Sequence, residues 1–111
     1  MLINGGTFSA SSMFVNCIKG QDDIYIVGEN TGGGWYGNNG MIIPEVTLPH
    51  TKVRVRVPLY RLVQYEHKDE NKGTGIIPDI MIPTDYQFIK DGKDKKMETV
   101  LKMIEEKEAL F

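Results

Sequence analysis

The sequence predicts an α/β fold, and three observations carry that prediction. Short apolar runs of strand character at 1–3, 24–27, 41–48, 52–57 and 76–82 are interleaved with two stretches of helical spacing, 11–19 and 94–108. The first strand passes through a glycine pair and a serine cluster straight into the first helix. Residues 52–57 alternate strictly, with Val53, Val55 and Val57 on one face and Lys52, Arg54 and Arg56 on the other.

Each element has a local cause. Met1, Leu2 and Ile3 form an apolar strand that Asn4-Gly5-Gly6 turns. Met13, Phe14, Cys17 and Ile18 recur at helical spacing, so a helix is expected over 11–19, with this stripe buried. Ser9 or Ser11 caps it, because a serine hydroxyl accepts from a free first-turn amide, and Gly20 stops it. Ile24-Tyr25-Ile26-Val27 is a β-branched and aromatic strand ended by Gly28. Residues 29–40 read as a Gly/Asn-rich loop holding Trp35 and Tyr36. Strands 41–48 and 52–57 flank the turn Pro49-His50-Thr51, which predicts a half-buried hairpin. Residues 59–65 continue as irregular strand, and 66–75 are an exposed polar loop. Residues 76–82 carry Pro78 and precede Pro83, so they form an edge strand or an extended arm. Asp94 caps the last helix, whose Met97, Val100, Leu101 and Ile104 stripe is expected in the core.

Composition excludes several classes. The 111 residues suit one domain able to bury roughly two thirds of its unfolded surface. Hydrophobic residues at 41% and charged residues at 25% argue against general disorder. Thirteen Lys+Arg against fifteen Asp+Glu give a net charge of −2, so no nucleic-acid partner is expected. The basic face of Lys52, Arg54 and Arg56 reads as a solvated strand face. Cys17, the single cysteine, is expected as buried packing. His50 and His67 lack ligand spacing, so no metal and no cofactor are expected. No apolar run approaches the roughly 20 residues of a membrane span. The chain opens inside a strand with no leader before it, so we expect a piece of something larger.

Six of the twelve glycines lie between Gly28 and Gly40. Gly32-Gly33-Gly34 lead into Trp35-Tyr36-Gly37 rather than a helix, which argues against a phosphate cradle. Two readings stay open: the glycines let the loop pass close to a bound peptide backbone, or they satisfy tight turns. The serine cluster is the chemically suggestive feature. A serine at a helix N-terminus stands beside unpaired amides at the positive end of the dipole, which can stabilise an oxyanion. The plainer reading is that the serines are only caps.

Four blocks resemble one family in order: Asn4-Gly5-Gly6-Thr7-Phe8-Ser9-Ala10-Ser11, Ile26-Val27-Gly28-Glu29-Asn30-Thr31-Gly32-Gly33-Gly34, Gly75-Ile76-Ile77-Pro78-Asp79-Ile80 and Gly92-Lys93-Asp94. They are similar to the C-terminal half of the catalytic domain of carboxyl-terminal processing (tail-specific) serine peptidases. The resemblance implies a Clp protease/crotonase-like β-β-α core, here partial, with a hairpin and a C-terminal helix added. Residues 1–111 then form the C-terminal portion of the domain, with the N-terminal half absent. Ser9 matches the nucleophile and the Ala10 amide one oxyanion donor; Gly32, Gly33 and Gly34 border the substrate.

The serine–lysine branch keeps a lysine where this chain has Gly34, so the chain looks more like the tricorn and retinoid-binding-protein branch with its serine–histidine–serine–glutamate tetrad. Glu70 is the best match for that glutamate and Glu66 the second; His67 beside it is a third titratable group in the loop. The expected partners are a peptide or protein substrate, the N-terminal half, and a second copy through the exposed face. The expected compartment is the periplasm or cell envelope, and the 111 residues alone are expected to be inactive. The alternative is a non-catalytic peptide- or ligand-binding relative; an acyl-CoA enzyme stands third, on fold analogy alone.

Overall fold

The computed structural model describes residues 1–63 and 73–108. In chain order its elements are β1 (Leu2–Ile3), α1 (Ala10–Ile18), β2 (Val27–Gly28), β3 (Gly37–Asn38), β4 (Glu45–Thr47), β5 (Arg54–Arg56), β6 (Leu62–Val63), β7 (Ile80–Met81), α2 (Tyr86–Lys90) and α3 (Lys95–Glu108). Strands and helices alternate about a parallel sheet, so the fold is α/β.

The central sheet has the order β1-β2-β7. Both pairings are parallel, with Leu2 opposite Val27 and Val27 opposite Ile80. Parallel neighbours need a crossover; α1 supplies it between β1 and β2. The carboxylate of Asp79 completes the ladder where β2 begins: it accepts from the Ile26 amide at 2.9 Å, while the Asp79 amide donates to the Ile26 carbonyl at 2.7 Å. The same carboxylate pairs with Lys19, just past the end of α1, and so ties helix to sheet. Burial pushes the Asp79 carboxyl up, but the Lys19 and Ile26 hydrogen bonds and nearby charge outweigh it and hold it below its ordinary value.

The core is small. Ile3, Val15, Ile26 and Ile76 form it, with Ile18, Ile24 and Trp35 packed against it. The radius of gyration is 18.6 Å, against about 13 Å for a compact domain of 100 residues. The longest extent is 66 Å.

The predicted hairpin forms, with Glu45 opposite Arg56 and Thr47 opposite Arg54. It is not half-buried. Val46 is 58% exposed and Val53 54%, and every residue of β4 and β5 is exposed. Alternation identifies a face that needs cover, and none of the described residues supplies it. The helix stripes shift in the same way. On α1 the buried residues are Ser12 and Val15, while Phe14 and Cys17 are exposed, which corrects the packing role expected for Cys17. On α3 no residue is fully buried, and Met97, Leu101 and Ile104 are each about half exposed, so that stripe is not core.

Two elements go beyond the sequence reading. β3 lies inside the expected loop and pairs with β6. α2 precedes α3, capped by Asp85, whose side chain accepts from the Gln87 amide at 2.8 Å. Asp94 caps α3 as expected, accepting from the Met97 amide at 3.0 Å. β7 takes an edge of the central sheet, consistent with Pro78 and Pro83 beside it.

Candidate active site

The site is built on the turn between β1 and α1. The Asn4 side chain accepts from the Gly6 amide at 2.8 Å, and the Thr7 amide donates to the Asn4 carbonyl at 2.9 Å, closing the turn on itself. The Thr7 carbonyl then receives two donors, the buried Ser12 hydroxyl at 2.9 Å and the Gly33 amide at 2.9 Å. That pair of bonds fixes the chain on either side of Ser9.

Ser9 is the residue before the first turn of α1, with φ 50° and ψ −121°. This lies outside the regions an L-residue ordinarily occupies and costs on the order of 1–3 kcal/mol. Its side chain makes no capping bond, so the expected cap role is not what it does in this fold. The residue is exposed, as is Ala10. Among the described residues neither the Ser9 hydroxyl nor the Ala10 amide has a hydrogen-bond partner. An unpaired amide at the positive end of α1 therefore stands next to an uncommitted hydroxyl.

Gly32 and Gly33 lie flush against this turn. A Cβ on Gly32 would stand 2.2 Å from the Gly5 carbonyl oxygen, and one on Gly33 would stand 2.2 Å from the Ser12 hydroxyl. The chain's own serine turn is thus what demands glycine at these two positions. Gly34 has only the Gly37 carbonyl nearby, at 3.3 Å, and bridges to Gly75. Thr31, buried, holds the loop from beneath: its hydroxyl donates to the Gly33 carbonyl at 2.7 Å and accepts from the Ile76 amide at 2.7 Å. Trp35 covers the core, and Arg61 lies over the Tyr36 ring, 4.6 Å from its centroid.

The sequence reading missed two groupings. The turn after β3 comes back beside the serine, so that a Cβ on Gly40 would lie 3.8 Å from the Ser9 hydroxyl. Asn38-Asn39-Gly40 advertises a turn, but no spacing says where it lands. The second is Glu29, whose carboxylate accepts from the Thr84 amide at 2.5 Å, the Thr84 hydroxyl at 3.0 Å and the Lys96 ammonium at 2.9 Å. Lys96, then Thr84, hold its carboxyl below the ordinary value. Glu29 thereby fastens α3 to the loop after β2.

Glu70, Glu66 and His67 lie outside the described residues. His50 sits at the tip of the exposed hairpin. No group of acidic, histidine or cysteine side chains among the described residues could hold a metal. Two clefts, of about 400 and 550 Å³, border α3, and Ser9 lines neither.

The parallel sheet thus leads through a sharp, strained turn into a helix, with an exposed serine at the turn. The sequence profile of peptidase family S41 matches residues 1–82, and the chain belongs to that family. Membership implies serine peptidase function. No curated protein matches the chain.

Proposed function

We propose that this chain is the C-terminal portion of the catalytic domain of a tail-specific serine endopeptidase, with Ser9 as nucleophile. One observation carries the reading: the strained backbone of Ser9 presents its hydroxyl beside the Ala10 amide, and neither has a hydrogen-bond partner among the described residues. Backbone strain of this kind persists where function needs it. The Ser9 oxygen attacks the scissile carbonyl carbon, and the carbonyl π pair moves onto its oxygen, which the Ala10 amide stabilises. A base takes the Ser9 proton and returns it to the leaving amine as the C–N bond breaks. Water then hydrolyses the acyl-enzyme by the same steps, and Ser9 is regenerated.

The base and the second oxyanion donor come from further polypeptide, with Glu70 orienting the base. The exposed hairpin and the half-exposed α3 stripe both support a neighbouring half that completes the site. Residues 1–111 alone are therefore inactive, and an exported protein is the setting that suits the family resemblance. The test compares the intact protein with its Ser9→Ala variant in cleavage of an unstructured polypeptide. Loss of roughly 10³-fold or more is expected; unchanged turnover sinks the assignment of Ser9, and absence of cleavage by the intact wild type leaves a binding protein.

A further inference from the structure

We propose that residue 40 is the specificity-determining position of the serine site, and that Asn38 is the positioning residue that holds it there. The proposal rests on the reading of Ser9 as nucleophile. Gly40 closes the turn after β3, and its Cβ position lies 3.8 Å from the Ser9 hydroxyl. That is van der Waals contact, so a methyl group at residue 40 just touches the oxygen. A branched side chain would fill the space through which an acyl carbon must approach to roughly 3–3.5 Å.

None of the described residues requires glycine at this position. Its backbone is not among the positive-φ glycines, and the nearest atom to its Cβ position, the Asn38 side-chain oxygen, is 3.4 Å away. What glycine provides here is open room at the nucleophile, which suits a substrate with a large side chain at the scissile bond.

The turn is held from two sides. β3 is paired to β6, with Asn38 opposite Leu62. The Asn38 side chain accepts from the Gly40 amide at 3.0 Å and donates to the Met13 sulfur at 3.2 Å. Met13 lies one turn along α1, and its amide donates to the Ser9 carbonyl at 3.0 Å. One amide side chain therefore spans from the helix that carries the nucleophile to the turn that walls it.

Labelling the intact protein with two serine-directed probes tests this. Diisopropyl fluorophosphate is the small probe, and a peptidyl phosphonofluoridate with a phenylalanine side chain is the large one. In each, the Ser9 oxygen bonds to phosphorus as fluoride leaves with the hydroxyl proton. Gly40→Val is expected to slow the large probe at least tenfold relative to the small one, with Gly40→Ala between. The ratio reads only folded protein, so partial misfolding does not mimic the effect. Adding Asn38→Ala to Gly40→Val releases the turn and brings the ratio back toward wild type. An unchanged probe ratio in Gly40→Val overturns the role of residue 40. A ratio that Asn38→Ala leaves fixed overturns the positioning role. Labelling that survives Ser9→Ala would instead refute the nucleophile assignment itself.

Discussion

Replacing Gly33 by alanine puts the packing of the serine turn to a quantitative test. The new Cβ would stand 2.2 Å from the Ser12 oxygen and 3.0 Å from both the Phe8 Cα and the Ser12 Cβ. The optimum for such contacts is roughly 3.5–4.0 Å. Ser12 is 2% exposed and its hydroxyl is committed to the Thr7 carbonyl, so it cannot swing aside without losing that bond. Overpacking costs about 1–3 kcal/mol and the lost hydrogen bond about 1 kcal/mol, so Gly33→Ala should destabilise by about 2–4 kcal/mol. Ser12→Ala alone should cost about 1 kcal/mol. The double variant no longer carries the oxygen that causes the worst overlap, so its cost should fall short of the sum by about 1 kcal/mol or more. Urea unfolding of the intact protein at constant m-value measures all three. Additivity within about 0.5 kcal/mol, or a neutral Gly33→Ala, would refute the contact.

Other consequences follow from the same geometry. Ile26→Ala empties a fully buried core position and should cost about 2–5 kcal/mol in the same unfolding assay. Glu29 has a carboxyl pKa below its ordinary 4.5, so its contribution is fully present above about pH 4.5 and is lost as pH falls through the lowered value. Glu29→Gln should accordingly flatten the acid limb of a stability–pH curve; an unchanged limb counts against the Lys96–Glu29–Thr84 cluster. Val55→Thr probes the exposed hairpin: if a neighbouring half covers it in the intact protein, the buried hydroxyl should cost about 1–3 kcal/mol. A change within about 0.5 kcal/mol would show the hairpin uncovered.

Much of the fold was legible because it is locally encoded. The Asn4-Gly5-Gly6 turn, the Asp94 cap and the Pro49-His50-Thr51 hairpin turn each announce themselves within a few residues. Periodicity also located α1 and α3 to within a residue or so. It failed on which way they face. Within the apolar stripe Phe14 and Cys17 are exposed while Ile18 packs against the core, and Ser12 and Val15 are the residues of α1 that are buried. Spacing reports that a face is apolar and not what covers it. β3 was invisible because Gly37 and Asn38 are both depleted in strands, so only the partner strand at Leu62–Val63 makes them one. Ser9 was singled out by its neighbours, but its backbone strain and its proximity to Gly40 depend on contacts far along the chain.

Ile26 and Asp79, which hydrogen-bond directly, stand 53 positions apart in sequence, and the whole β4–β5 hairpin lies between them. The entropy of closing such an excursion grows only logarithmically with its length, so halving it would change the closure cost by about 0.6 kcal/mol. The sheet that carries Ser9 is thus nearly indifferent to the length of the arm that leaves it. Changes in the length of the hairpin are therefore expected to cost the central sheet little.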